Sequence, residues 1–375
     1  MDVSIGTDRV HVTTESGVVA GVRDRGVQRF RGIPFAAAPF GANRFRAPRR
    51  AEQWDGVRDA VDRGPGAPQP LFPDDPLHGY FNPATTGEDC LNLDVWTPDA
   101  GTAGLPVMVW IHGGGYMNGG GSVPAHDGYT FARDGIVHVG INYRLGIDGF
   151  VYLGEGTENL GLLDQIAALE WVQRNIARFG GDPSNVTVFG QSAGAVSVMN
   201  LLAMPAARDL FARAVAQSGS PLAAVDQADA WQVTSRLADR LGITPSRDAF
   251  ARVPLERTVA ETLPMAIDFL DPTRWGSRSF MVSPYRAVHG TPSMPESPLT
   301  AAASSAIPLL TGTTTNEATG FLTALGLLEM PWVVGRKLLG YLGADRAIRR
   351  AYRRERGLRR TRDLVEAAWT DWTFR

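Results

Sequence analysis

Residues 92–191 predict an α/β fold, a central and mostly parallel β-sheet flanked by helices, and three features carry that expectation. First, LNLDVWTP, LPVMVWIHGGG, GIVHVGINYR and NVTVFGQS are short apolar runs rich in β-branched and aromatic residues, each bounded by Gly, Pro or Asn. Strands buried on both faces have this texture. Second, LLDQIAALEWVQRNIARFG lies between the last two runs and sets Leu162, Ile166, Leu169, Val172 and Ile176 three or four residues apart, one apolar face of a helix. Gly180 and Gly181 can end that helix. Third, strands and helices alternate, which implies right-handed crossovers.

The flanking segments follow in order. GVVAGVRD and GVQRFRGIPFA predict an antiparallel hairpin or meander that leads into a Pro-rich loop. Beyond Pro221 the texture turns helical, with DQADAWQVTSRLADRLGI and SRDAFARV, before a further strand in IPLLTGT. This insertion, about 221–308, is expected to form a helical cap over the sheet within a single domain of 1–375. The basic run from Arg336 to Arg362 reads as a solvated helix face with Ile348 and Tyr352 turned inward.

Composition narrows the function classes. Of 375 residues, 44% are hydrophobic and 20% charged, ample for a packed core. Lys plus Arg number 37 against 39 Asp plus Glu, a net charge of −2 that gives no electrostatic case for nucleic acid or an anionic membrane. Small neutral substrates fit better. No stretch reaches the roughly 18 uninterrupted apolar residues of a membrane helix, and MDVSIGTDRVHVTT lacks a basic start and an apolar core, so a cytoplasmic location is expected. Cys90 is the single cysteine, which excludes an intrachain disulfide, a Cys-based zinc site and a redox CxxC.

The chemistry is concentrated in two glycine-rich turns. Gly190-Gln191-Ser192-Ala193-Gly194 follows the strand VTVF and precedes the helix former AVSVMNLLAM. A serine on a sharp strand-to-helix turn needs small neighbours at both glycine positions, and its hydroxyl then projects at a helix N-terminus. The five letters alone would also suit an ordinary turn; the strand and helix around them point to a nucleophile. His112-Gly113-Gly114-Gly115 follows the strand PVMVWI. Consecutive glycines expose backbone amides of the kind that acyl transfer aims at a developing oxyanion, and Gly114, Gly115 and Ala193 are assigned as donors.

With these motifs in place, the chain resembles the type B carboxylesterase and lipase family of the α/β-hydrolase superfamily. FRGIPFAAAPFGANRF, EDCLNLDVWTP, WIHGGGYMNGG, INYRLG, ENLGLLDQIAALEWVQRNIARFGGDPSNVTVFGQSAGA and FARAVAQSGS run in the family's order over most of residues 29–221. The resemblance implies carboxylic ester hydrolysis through an acyl-serine intermediate, with Ser192 as nucleophile and Gly114, Gly115 and Ala193 as the oxyanion hole. It also implies that Glu317, in IPLLTGTTTNEATGF, is the charge-relay carboxylate. Ser218, in QSGSP, is placed near this group or, equally well, simply ends a strand. No metal or organic cofactor is expected, since proton transfer and charge stabilisation suffice.

One member departs from the family pattern. The resemblance implies a catalytic histidine in a loop beyond Glu317, yet the last histidine of the sequence is His289. The closing TDWTF resembles a family segment upstream of that loop, so the last strands and the general base are expected to be missing from this chain. His78, His112, His126, His138 and His289 all precede Glu317, and no spacing directs any of them to Ser192. Cys90, which many secreted relatives pair with an upstream cysteine, is expected to be a small buried residue. The rival expectation is a noncatalytic binding protein on the same scaffold.

Overall fold

The computed structural model describes residues 8–71, 82–154 and 156–375, and His78 lies outside them. Ten strands form one sheet in the order β1 (Asp8–Thr13), β2 (Val18–Asp24), β3 (Val27–Pro34), β5 (Asn92–Thr97), β7 (Val137–Ile141), β6 (Leu105–Ile111), β8 (Gly181–Gln191), β9 (Arg213–Gln217) and β10 (Leu309–Gly312); β4 (Val57–Asp59) pairs with β2 off this path. From β7 to β10 every pairing is parallel. From β1 to β7 every pairing along the path is antiparallel.

The sheet is therefore mixed, with the parallel core and the antiparallel amino-terminal strands as expected; only β5 differs from its expected place, standing in the antiparallel part. LNLDVWTP is buried along all six strand residues but runs antiparallel to both neighbours. Burial on two faces produces a continuous apolar run whatever the direction of the neighbours, so composition could not report the polarity. The hairpin expected near the amino terminus is present as β2 and β3. β1 escaped notice because most of its residues are exposed, and β9 because only five residues, RAVAQ, form it.

The helix Leu160–Asn175 buries more than the expected face: Leu162, Ile166, Leu169 and Val172 are enclosed, but so are Leu160, Ala168, Trp171, Asp164 and Gln165. It lies inside the molecule. It continues as a 3-10 turn, Ile176–Phe179, which Gly180 closes at φ 85°.

Residues 221–308 are helical as expected, with Gln227–Leu241, Arg247–Arg252, Leu255–Phe269, Pro272–Trp275 and Pro298–Ser304. Three of them start at side chains that accept from first-turn amides: Asp226 from Asp229, Ser246 from Ala249 and Ser297 from Thr300. Val233, Leu237, Phe250, Met265 and Phe269 join the same apolar cluster as the central strands. The last helices, including Arg346–Glu355 and Thr361–Phe374, gather around a second cluster of Leu322, Leu339, Leu364 and Trp369. Here the inward orientation of Ile348 is corrected: it is 42% exposed, while Tyr352 is partly buried and donates to Asp371 at 2.7 Å.

Two buried ion pairs lie near the core. Asp164 receives Nε, Nη2 and the backbone amide of Arg144 at 2.7, 2.7 and 3.0 Å, with both side chains at or below 1% exposure. Arg44 pairs with Asp148 in the same way. Asp94 is different: burial lifts its carboxyl to about 6, and the amide of Gly32, at 2.9 Å, only partly offsets this. The folded chain thus holds this proton more tightly than the unfolded chain, so stability falls as pH rises from about 4 to about 6, by ~3 kcal/mol from this group. Replacing it in Asp94→Asn is expected to flatten that part of the pH profile, read from urea midpoints of both proteins at pH 4 and 6.5.

Candidate active site

β8 delivers Ser192 to the carboxyl end of the parallel strands, where α/β sheets place their ligands. Ser192 sits at φ 58°, ψ −124°, a conformation that L-residues avoid, at the start of the helix Ala193–Leu202. Its amide donates to the Gln217 carbonyl at 2.9 Å, which fixes the turn against β9. The turn is tight enough that a Cβ on Gly194 would lie 2.0 Å from the Ile111 carbonyl oxygen. Both partners are backbone, so Gly194→Ala is expected to cost at least ~2 kcal/mol through overpacking, seen as a lowered denaturation midpoint.

The glycine turn after β6 faces this elbow. His112 is buried, its ring stacked on Tyr143 at 4.3 Å and its Nδ1 2.8 Å from the Gly113 carbonyl, and Tyr143 donates to the His112 carbonyl at 2.7 Å. Burial pulls its imidazole pKa down to about 3, which suits a neutral structural ring. Gly114 adopts φ 105°, and a Cβ there would meet the Asn118 carbonyl at 2.0 Å. The Gly114 carbonyl is used by Met117 and Asn118, whereas the amides of Gly114, Gly115 and Ala193 donate to no acceptor among the described residues.

Glu317 stands in the loop after β10. Its Oε1 accepts from the Ser218 hydroxyl at 2.7 Å and from the Thr314 amide at 2.6 Å. Ser218 immediately follows Gln217, the residue that holds the Ser192 amide, and its own amide donates to Gly312 at 2.8 Å. The ends of β8, β9 and β10 therefore bring Ser192, Ser218 and Glu317 into one hydrogen-bonded neighbourhood. The helix Thr361–Phe374 braces the acid loop: Thr370 accepts from the Ala318 amide at 3.1 Å and Glu366 from Asn316 at 2.9 Å.

A cavity of about 60 Å³ opens here, lined by Gly115, Tyr116, Ser192, Ala193, Ser218 and Arg286 among others. Gly114 and Glu317 stand outside the lining. Tyr285, Arg286 and Phe374 also border the cavity, and no motif in the sequence marked them. None of the five described histidines does so. His138 lies in β7 stacked on Phe131, His126 leans on Trp110 with Nδ1 3.0 Å from the Gly120 carbonyl, and His11 is exposed in β1. His289 is fixed by its amide to the Val225 carbonyl.

A serine held on a strained strand-to-helix turn, opposite unpaired glycine-loop amides on an α/β sheet, defines the α/β-hydrolase class. The model of the carboxylesterase family matches residues 8–331, and the chain belongs to that family. It is 42% identical over 319 residues to the para-nitrobenzyl esterase of Bacillus subtilis, covering 83% of this chain and 64% of the relative. It is 40% identical over 311 residues to a phenmedipham hydrolase of Pseudarthrobacter oxydans, covering 82% of this chain and 61% of that protein. The chain thus spans less than two thirds of the length of these curated relatives. Among solved structures, a thermophilic para-nitrobenzyl esterase superposes with a TM-score of 0.82 at 36% identity, over 97% of this chain and 74% of its own. No helix of the described residues is long and apolar enough to cross a membrane.

Proposed function

We propose that this chain carries the nucleophile, oxyanion-binding and acid elements of a cytoplasmic carboxylesterase acting on small-molecule esters. The observation that carries the reading is the placement of Ser192, in a strained turn, on the same cavity as the free amides of Gly115 and Ala193. In this reading Ser192 Oγ attacks the ester carbonyl, and the amides of Gly114, Gly115 and Ala193 stabilise the oxyanion. The tetrahedral intermediate expels the alcohol and leaves an acyl-serine, which water then hydrolyses.

Both steps need a base for the serine or water proton and an acid for the leaving group. Glu317 would orient the imidazole that performs them, with Ser218 holding one of its oxygens. None of the described histidines lines the cavity, so the base is assigned to none of them. That same observation favours the second reading, a binding protein on this scaffold. Cys90 supports a cytoplasmic setting: it is fully buried and unpaired, and burial drives its thiol pKa well above the usual range.

Hydrolysis of p-nitrophenyl butyrate by this chain and by its Ser192→Ala variant separates the two readings. Ser192-dependent turnover supports the esterase; equal rates for both proteins, with or without an added base, support the binding protein.

A further inference from the structure

Buried guanidinium groups in this molecule have anionic partners: Arg44 has Asp148 and Arg144 has Asp164. Arg286 does not. It is 8% exposed, and among the described residues it makes no hydrogen bond or ion pair; its Nε is enclosed without an acceptor. Its guanidinium carbon lies 5.5 Å from the centre of the Phe269 ring. The acids nearest in charge are engaged elsewhere, Asp229 with Arg278 and Asp226 with the amide of Asp229.

The backbone that follows Arg286 is held in place. The Ala287 carbonyl accepts from the Val225 amide at 2.9 Å, and the Val288 amide donates to Asn159 at 2.8 Å. Burial draws the guanidinium pKa down to about 10, so the group stays charged at neutral pH. Taking an unpaired cation out of water carries a penalty of several kcal/mol. The same cavity that exposes Ser192 is lined by this side chain. A planar five-donor fork in that place matches a carboxylate, which can occupy two of its N–H groups at once.

We propose that Arg286 is a specificity-determining residue that receives a carboxylate carried by the substrate, so that the favoured class is a half-ester of a dicarboxylic acid. The overall charge of −2 pointed to neutral substrates; the local cation reverses that expectation. The inference rests on the esterase reading for its use of the word substrate, yet binding can be measured without turnover.

The test compares monomethyl glutarate with dimethyl glutarate by titration calorimetry at pH 7 and low salt, on the full chain, Arg286→Met and Arg286→Lys. The expected result is at least tenfold tighter binding of the monoanion to the unmodified chain, lost in Arg286→Met and partly kept in Arg286→Lys. Equal affinity for both esters in the unmodified chain, or a preference that survives in Arg286→Met, overturns the proposal. Should Arg286→Met not fold, Arg286→Gln takes its place: loss of the preference for the monoanion over the neutral diester supports the proposal, and a preference equal to that of the unmodified chain overturns it. Reaction of Ser192 with a fluorophosphonate reports on the esterase reading separately.

Discussion

Replacing Ser192 by alanine is expected to abolish all ester hydrolysis that free imidazole stimulates in this chain. A positioned base contributes roughly 10²- to 10⁴-fold to proton transfer, and a serine hydrolase without one keeps only the acceleration of its oxyanion site and binding. No described histidine reaches the cavity, so the chain alone should turn over p-nitrophenyl butyrate slowly. Adding imidazole should raise the rate in a saturable way, since the cavity beside Ser192 and the carboxylate of Glu317, reached through Ser218, offer it a place and an orienting partner. Imidazole also cleaves such esters unaided, and the Ser192→Ala protein measures that background. The difference between the two proteins should be at least about tenfold at saturation, a small part of what a positioned base supplies.

The largest stability effect is expected at Asp164. Among the described residues it is the one acid that pairs with Arg144, with virtually no exposure, and it also receives that residue's amide. Asp164→Ala would leave a buried guanidinium and a buried amide unmatched, a loss of about 3 to 5 kcal/mol. On the scaling of unfolding entropy with chain length this lowers Tm by about 4 to 6 °C. Scanning calorimetry checks it against Glu355→Ala. That residue pairs with Arg354 at 62% and 76% exposure, and its loss should move Tm by less than 1 °C.

Much of this architecture was legible in the sequence because it follows from short-range rules. The elbow could be read because Gly190 and Gly194 have no substitute where a Cβ meets backbone at 2.5 and 2.0 Å. Two of the helices of 221–308 could be read from DQADAWQVTSRLADRLGI and SRDAFARV, which Asp226 and Ser246 cap in the structure. Strand direction could not, because Asn92–Thr97 is equally buried whichever way its neighbours run. Ile348 was placed inward on helical spacing alone, but the second core is filled by residues such as Leu339, Leu364 and Trp369 and leaves it outside. Arg286 left no trace in the sequence at all. Its importance depends on what fails to surround it, and the lack of a partner is a property of three-dimensional packing.

The central claim is that Ser192 is the nucleophile, and peptide mapping after reaction with a fluorophosphonate in the presence of imidazole tests it most directly. One adduct per chain, on the peptide containing Gly190-Gln191-Ser192-Ala193-Gly194 and absent from the Ser192→Ala protein, is the expected result. An unmodified Ser192 in the folded chain, or an adduct of equal yield in Ser192→Ala, would contradict the account.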